Sequence, residues 1–465
     1  MASVLLFGSV EPWAAGLTGI AVTVYFNIRI HDCRFSGDKW YRDAVLWPGK
    51  GTEGGKAAPL DLGRIFSWRA GMCISASGFM AAALLGLVPL PVQAMAFFSK
   101  KGYGLIERLS LRPPAWHCLS INSHESMEAV LRLAVCIMVY IIAERAGRDK
   151  TSPKRAFSIL VFFGLGLVVF SVIQKSTWDG RIYWFRTVRD ARPFGPFVNR
   201  NHFAGFMGMI IPPGLALAFE ARRAGKAVLY ALAAAVMAAG LFYSLSRGGI
   251  ASFFASMLVF LAMAPKRGRR PRNRAFYYMG FFAVALVFYV LYAGISPVVA
   301  RFEAGGLSFG TRLKVWEASL RAAWDFKWSG TGPGTFRDIF PLYNPFLQKT
   351  FDFAHNDYIN LAVETGIPGL FFMLFFFASF ARGVYNYYGR QRQSYFTAGL
   401  LASVAYMLVH SFLDFNLHIP SNAITFAAVA GFAASRVHMG GADVTNNGRG
   451  DLAGITAGAD GKRVH

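Results

Sequence analysis

The sequence predicts an all-α, polytopic membrane bundle of about 11–12 transmembrane helices, with one long outer loop that carries amphipathic helices. Apolar stretches recur along the 465 residues, and many reach the roughly 18 residues that a helix needs to cross a hydrocarbon core about 30 Å thick. These stretches are continuous rather than alternating. Because only helices or closed barrels can span lipid, the predicted spans are helical.

Eleven apolar segments are predicted to cross the membrane, in addition to an N-terminal stub. The first residues, MASVLLFGSVEPW, carry no basic n-region and look like the end of a helix whose beginning is absent. The predicted spans lie near 12–28, 70–91, 127–143, 156–174, 201–219, 228–245, 249–264, 275–298, 367–385, 395–413 and 419–436.

Four regions follow from this pattern. We expect transmembrane helices with short loops over 1–298, a long loop over 299–366, further transmembrane helices over 367–436 and a disordered cytoplasmic tail over 437–465. The tail is rich in Gly, Asp and Asn and has few large apolar residues, a composition that cannot bury a core.

Basic residues predict the orientation of the bundle. The connection PKRGRRPRNR at 265–274 has six basic residues and no acid, and cytoplasmic loops carry such an excess of Lys and Arg. The net charge of +23 is therefore read mainly as a topology signal and not as a nucleic-acid-binding surface. Alternation from this connection places five segments outside, namely 92–126, 175–200, 245–248, 299–366 and 414–418.

Two outer motifs place arginines where helices begin. RPFGPFVNRNHFAGF, residues 192–206, brings Arg200, Asn201 and His202 to the start of a span. A helix N-terminus favours anions, and the forked guanidinium suits phosphate, although an interfacial anchor would explain the motif equally well. YSLSRGGIAS at 243–252 places Arg247 in a very short connection. A simple turn does not need an arginine there, which favours a functional role.

The long loop contains a predicted amphipathic helix. Leu313, Trp316, Leu320 and Trp324 recur at helical spacing and predict one apolar stripe, which lies at the interface or packs on the bundle. Arg312 falls in the first turn, where the helix dipole disfavours a cation, so an anionic partner is plausible there. GTGPGTF at 330–336 lacks the ending of a phosphate-binding P-loop, and turn geometry explains it.

Two further motifs contain histidine. In FAHNDYINLAVETG, residues 353–366, His355 is predicted to share a helical face with Tyr358 and to be held near the membrane surface. A neutral imidazole can accept a proton from a hydroxyl, yet on spacing alone a structural histidine is the commoner case. HSFLDFNLHIPSNA at 410–423 places Asp414 and His418 at an outer helix end, where they line the same cavity or cap it.

Taken in order and spacing, FGPFVNRNHFAGF, SLSRGG, TRLKVWEAS, GTGPGTF and AHNDYINLAVETG resemble the O-antigen ligase and O-antigen polymerase superfamily over roughly residues 4–436. The resemblance implies a bacterial inner-membrane glycosyltransferase with its active site on the periplasmic side. Such enzymes move a glycan from an undecaprenyl-pyrophosphate donor to an acceptor hydroxyl, with inversion and without a metal or other cofactor, in lipopolysaccharide or exopolysaccharide biosynthesis.

The resemblance also assigns roles to residues. His355 matches the proposed general base, and Arg200, Arg247 and Arg312 match arginines that bind the donor pyrophosphate. The neighbouring Asn201, His202, Asn356 and Tyr358 are candidate substrate-binding residues, with Asp414 and His418 as second-tier candidates. Metal binding has weak support, because the outer carboxylates are dispersed and no HExxH motif occurs.

Several alternatives remain open at this point. The acceptor is a lipid A-core, another glycan or a protein hydroxyl, so ligase, polymerase and protein O-oligosaccharyltransferase activities fit the same motifs. A transporter of a lipid-linked sugar or small anion is the alternative from another class, but transporters usually show internal repeats and mid-membrane ionisable residues. A structural scaffold is the third alternative.

Overall fold

The computed structural model describes residues 18–25, 67–112, 114–149, 151–187, 193–265, 309–346, 348–388 and 393–457. Within these ranges the chain is helical apart from turns and two short antiparallel β-pairs. The predicted span 275–298, the connection 265–274 beyond its first residue, and most of the predicted span 12–28 lie outside the described residues.

The described elements follow the predicted order of helices. In chain order the helices are α1 (Trp68–Leu85), α2 (Val92–Phe98), α3 (Lys100–Leu109), α4 (Ser123–Ala146), α5 (Ser152–Ser176), α6 (Arg200–Glu220), α7 (Ala224–Tyr243), α8 (Arg247–Met263), α9 (Phe309–Asp325), α10 (Phe336–Ile339), α11 (Asp357–Tyr388), α12 (Tyr395–Ser411) and α13 (Pro420–Ala457). Single 3₁₀ turns cover Phe340–Leu342 and Asn416–His418. Strands β1 (Leu90–Pro91) and β2 (Trp116–His117) form one pair, and β3 (Arg181–Ile182) and β4 (Arg186–Thr187) form the other.

The prediction of an all-α membrane bundle is confirmed. Among the described residues, six helices are long and apolar enough to cross a membrane, namely α1, α4, α5, α6, α7 and α11. Helices α8 and α12 are also apolar but shorter. The boundaries follow local chemistry. Helix α1 ends at Leu85, short of the predicted 91, because Pro89 and Pro91 cannot continue a helix.

The C-terminal helix α13 continues further than the sequence predicts. It runs from Pro420 to Ala457, beyond residue 436 where the last span is predicted to end, and the disordered tail expected over 437–465 stays a prediction. Glycine and asparagine lower helix propensity, but no proline follows Pro420 to stop the helix.

Helix α6 lies at the centre of the bundle and is almost wholly buried. Its neighbour α12 approaches closely because small residues face large ones: a Cβ added at Gly208 would lie 2.0 Å from the ring of Tyr406. The Tyr406 hydroxyl donates to the Ala204 carbonyl at 2.8 Å, and Ser403 Oγ donates to the Met209 carbonyl at 2.7 Å. Small residues and interhelical hydrogen bonds of this kind hold helices together in lipid.

Ion pairs join the segments that are predicted to lie on the inner side, so these segments lie at the same end of the bundle. Arg69 Nη2 contacts Glu144 Oε1 at 2.7 Å, and Lys154 Nζ contacts Glu220 Oε2 at 2.6 Å. The backbone amide of Phe396 also donates to Glu220. These residues come from or flank connections that the basic-residue pattern assigns to the same side.

The predicted outer segments meet at the opposite end. Ser120 N donates to the Gly86 carbonyl at 3.0 Å, and Ile121 N donates to the Thr331 carbonyl at 2.9 Å. The glycines of GTGPGTF have positive φ and fit against these neighbours. A Cβ added at Gly332, for example, would lie 2.3 Å from Ser120 Oγ. The motif is a close-packed set of turns, as expected from its composition.

Helix α9 packs by a face other than the predicted apolar stripe. Its buried residues are Val315, Ala318, Ser319 and Ala322, and the three apolar ones join a second core with Phe326 and Phe336. Leu313, Leu320 and Trp324 are exposed, and only Trp316 of the stripe is partly buried, with its indole N–H donating to the Ala354 carbonyl at 3.0 Å. The small residues pack because they let α9 approach the neighbouring elements.

Candidate active site

The candidate site is built around residues 410–418, which comprise the last two residues of α12 and most of the link to α13 and are called the 410–418 connection. This connection includes Asp414, whose side chain is 1% exposed, and a 3₁₀ turn over Asn416–His418. Asn416 is buried, and Asn422 Nδ2 donates to its Oδ1 at 3.0 Å. The hydrogen bond between Asn422 and Asn416 ties the connection to the first turn of α13, at the outer end of the bundle.

His355 and Asp414 form a directly hydrogen-bonded pair. His355 Nδ1 lies 3.1 Å from Asp414 Oδ1, and the Phe415 amide donates to the same oxygen at 3.0 Å. Burial alone would raise the pKa of Asp414, but the hydrogen bond and charge of His355, together with His202 and His410, hold that pKa well below its usual range. An ionised carboxylate only accepts hydrogen bonds, so the Nδ1 of His355 carries a proton, and the neutral form of the imidazole then has a free lone pair on Nε2.

His355 does not lie on a helix, contrary to the predicted helical face. Helix α11 begins only at Asp357, and His355 precedes it with a φ of 53°, in the left-handed region. Its side chain remains 19% exposed, while its partner carboxylate is buried behind it. The imidazole ring also contacts Phe415 edge-on at 5.0 Å. The ring is thus fixed from one side and accessible from the other.

The first turns of three helices contact the 410–418 connection. In α6, the His202 ring lies 4.9 Å from the ring of Phe415. In α8, a Cβ added at Gly248 would lie 3.0 Å from Leu413 Cβ. In α9, Arg312 Nη1 donates to the Leu413 carbonyl at 2.8 Å. Each of these helix starts carries one predicted arginine, and helix N-termini favour anions.

The three predicted arginines lie at the starts of the three helices that contact the 410–418 connection. Arg200 is the first residue of α6, Arg247 is the first residue of α8, and Arg312 lies one turn into α9. Asn199 caps α6 by accepting from the Asn201 amide at 2.9 Å, and Ser246 caps α8 by accepting from the Gly249 amide at 3.2 Å. Caps of this type fix the residue at which a helix starts, and so fix the backbone positions of Arg200 and Arg247.

Three of the predicted substrate-binding residues already have structural partners. Asn356 is buried and caps α11, accepting from the amides of Tyr358 and Ile359 at 3.0 and 3.2 Å. The Tyr358 hydroxyl donates to the Leu408 carbonyl at 2.7 Å. His202 is buried, and its carbonyl accepts from Asn422 at 2.9 Å. These contacts give the three residues a role in shaping the site, and their substrate contacts stay a prediction.

His418 belongs to a separate charged network beside the pair. His418 Nδ1 lies 2.8 Å from Asp357 Oδ1, and its Nε2 lies 4.0 Å from Glu364 Oε2. Burial alone would lower the pKa of His418, but the hydrogen bonds and charges of Asp357 and Glu364 raise it to about 10. Glu364 also accepts from the Phe336 amide at 3.2 Å. The network links the GTGPGTF turns, the start of α11 and the 410–418 connection.

Lys175 is a basic residue near the outer end of the bundle, and no sequence motif indicates it. It lies in the last turn of α5, and its Nζ is 3.8 Å from the centroid of the Tyr243 ring. Lys175 and Arg200 interact as like charges. A lysine near a helix end is an ordinary interfacial feature in sequence, which is why only the three-dimensional neighbourhood distinguishes it.

Comparison with known protein families gives a match that includes part of the candidate site. The family model described as "O-Antigen ligase" matches residues 232–374. The match confirms the resemblance to this superfamily within residues 232–374. Comparison with curated proteins gives no significant match.

The matched residues span most of α7, all of α8 to α10 and the first part of α11. They cover less than a third of the chain, and they include Arg247, Arg312 and His355. Arg200 and Asp414 lie outside them in sequence. The fold brings Asp414 against His355 of the matched residues, and it packs α6, which carries Arg200, against α8, where a Cβ added at Gly249 would lie 2.7 Å from Ala204 Cβ.

Proposed function

We propose that this protein is a glycosyltransferase of the O-antigen ligase and polymerase type, which moves a glycan from undecaprenyl pyrophosphate to an acceptor hydroxyl. The observation that carries the proposal is the His355–Asp414 pair beside three helix starts that each bear an arginine. A general base and an anion-binding surface are the two requirements of a transfer in which pyrophosphate leaves. The match to the O-antigen ligase family supports the same class of reaction.

His355 acts as the general base in this proposal. Its Nε2 accepts the proton of the acceptor hydroxyl while the hydroxyl oxygen attacks the anomeric carbon. The bond between that carbon and the pyrophosphate oxygen breaks, and the electron pair leaves with the pyrophosphate. A single displacement of this kind inverts the anomeric centre. Asp414 orients the imidazole and stabilises the imidazolium that forms, as the buried carboxylate does in other histidine–carboxylate pairs.

The arginines stabilise the departing pyrophosphate. Negative charge develops on the leaving oxygen as the glycosidic bond breaks, and fixed guanidinium groups stabilise it without reorganisation. Arg312 is held by the Leu413 carbonyl, next to Asp414, which couples the anion-binding group to the base. Arg200 and Arg247 add charge at the starts of α6 and α8, where the helix dipoles have the same sign. This arrangement supports a reaction that needs no metal ion.

The proposed setting is the bacterial inner membrane, with the active site on the periplasmic side. The positive-inside pattern supports this orientation, because the basic connections 144–155 and 221–226 lie at the end of the bundle opposite His355. The donor's polyprenyl chain would lie between helices or in lipid, and its partner would be a glycan, lipid A-core or protein hydroxyl. A transporter has less support, since the motif residues collect at one end and not at several depths.

The direct test uses purified protein in nanodiscs with a lipid-linked glycan and an acceptor. We expect His355→Ala and Arg247→Ala each to lower the rate of transfer by at least about 10²-fold. Matched controls are His124→Ala and Arg321→Ala, which remove an exposed histidine and an exposed arginine of the same outer layer and should leave activity unchanged. Full activity in both site variants would refute the mechanism.

The acceptor is tested separately by deletion of the gene in its host. Loss of polysaccharide from the lipid A-core would identify a ligase, whereas lipid A-core carrying single repeat units would identify a polymerase. A normal lipopolysaccharide profile with an underglycosylated protein would identify a protein O-oligosaccharyltransferase.

A further inference from the structure

The outward side of α9 and the turn after it exposes a row of large apolar side chains. We define the α9 outer face as Leu313, Leu320, Trp324 and Trp328. Leu320, Trp324 and Trp328 are 53%, 70% and 63% exposed, and Leu313 is also exposed. The opposite side of the helix is filled by the second core, and these side chains belong to neither core of the described part of the chain. Clustered apolar exposure of this kind marks a surface that contacts something else.

A backbone hydrogen bond fixes the depth of this face in the molecule. The Ile367 amide donates to the Lys327 carbonyl at 2.7 Å, so the 324–328 turn lies level with the outer end of the α11 span. From that level α11 exposes Ile367, Phe371 and Leu374 at helical spacing. Exposed apolar residues on a membrane-crossing helix face lipid. The α9 outer face therefore lies at the same depth as the outer end of the lipid-facing surface of α11.

The charges beside the tryptophans fit the same environment. Lys327 Nζ lies 4.0 Å from the centroid of the Trp324 ring and 5.9 Å from that of Trp328. Tryptophan together with lysine is the typical composition of the membrane–water boundary, where the ring is partly buried and the ammonium reaches the phosphates. Glu317 and Arg321 pair with each other on the exposed side of α9, which lowers the cost of placing them near headgroups.

We propose that the α9 outer face docks on the surface of the lipid bilayer, in the headgroup layer of the leaflet on the active-site side. The same helix carries Arg312, which hydrogen-bonds to Leu413 beside Asp414. Docking of α9 on lipid therefore sets the depth of the 410–418 connection relative to the headgroups. A bilayer contact explains why bulky apolar residues occupy the exposed side of α9 while alanines occupy the packed side.

The test measures depth without turnover, so its outcome is independent of the proposed enzymatic function. Trp324→Cys and Trp328→Cys are made in full-length protein whose native cysteines are replaced, then labelled with an environment-sensitive fluorophore and placed in nanodiscs. The control is Gln348→Cys, an exposed polar position of the same loop. All three positions are exposed, so the substitutions leave the cores intact.

We expect blue-shifted emission at 324 and 328, and several-fold stronger quenching by headgroup-proximal nitroxide lipids than at 348. Water-soluble iodide should show the reverse order. Equal iodide quenching at all three positions, with no effect of the nitroxide lipids, would overturn the proposal. Protection at 324 that appears only when a soluble oligosaccharide is added would also overturn it, since the face would then be a sugar-binding surface.

Discussion

Replacement of Asp414 by asparagine removes the carboxylate that orients His355 and keeps His355 itself, so it tests the orienting role alone. Asp414 is buried, and its Oδ1 lies 3.1 Å from His355 Nδ1. Asparagine has nearly the same shape, so the fold around the 410–418 connection should persist. The carboxylate charge is lost, and the amide can present its NH₂ to Nδ1, which favours the tautomer with the proton on Nε2. In that tautomer the base is unavailable to the acceptor.

The size of the effect follows from the kind of contact that is lost. Hydrogen bonds to charged groups contribute about 1.5–3 kcal/mol, and each 1.36 kcal/mol is about tenfold in rate. We therefore expect kcat to fall about 10- to 150-fold in Asp414→Asn. The KM for the lipid-linked donor should change little, because Asp414 acts through His355. His355→Ala removes the base, and the loss there should be about 10²- to 10⁴-fold.

The assay is steady-state transfer in nanodiscs, with thermal unfolding of each variant as a check on folding. Asp352→Asn is the matched control, since Asp352 is an exposed acid in the same segment as His355. If Asp414→Asn retained wild-type kcat while His355→Ala did not, the orienting role of the carboxylate would be refuted. An increase in donor KM at constant kcat would instead assign Asp414 to donor binding.

Three further outcomes test neighbouring parts of the site. Because the pKa of His418 is raised from 6.5 to about 10, its stabilising contribution is complete below pH 6.5 and is lost as the pH rises through about 10. The difference in melting temperature between wild type and His418→Gln should therefore shrink over that range. Arg312→Lys should lower kcat/KM about tenfold, because an ammonium cannot keep the Leu413 hydrogen bond and a forked contact to phosphate together. Gly330→Ala should lower the melting temperature markedly, since its Cβ would lie 2.2 Å from the Glu364 carbonyl oxygen at a φ of 66°.

Much of the fold could be predicted from the sequence because spans are governed by length and composition. The spans predicted at 156–174 and 201–219 correspond to α5 and α6, with ends that differ by a few residues. Details that depend on packing could not be predicted in this way. Helix α9 shows this, since its apolar stripe predicts a face that lies at the interface or packs on the bundle, and only the structure shows that its alanines are the residues that pack. In a membrane protein an apolar face has lipid as an alternative to a core.

The candidate site was only partly predictable for a similar reason. Arg200, Arg247 and His355 each occur in a local motif, so sequence could select them. Asp414 occurs among ordinary helix-end residues, so sequence could select it only as a second-tier candidate, and the fold is what pairs it with His355, 59 residues away. The left-handed backbone of His355 was also missed, because helical spacing from 355 onwards masks a helix that begins at Asp357.

The site carries energetic costs and lies next to the closely packed helices α6 and α12. Among the described residues, His202 Nε2, Arg312 Nε and Asp414 Oδ2 are buried without a hydrogen-bond partner from the protein. Each such group costs about 1–3 kcal/mol, and the left-handed backbone of His355 adds a cost of the order of 1 kcal/mol. The close packing of α6 against α12 is next to this site and can offset these costs. A looser scaffold would let the connection relax, which would separate His355 from Asp414 and the arginine-bearing helix starts from both.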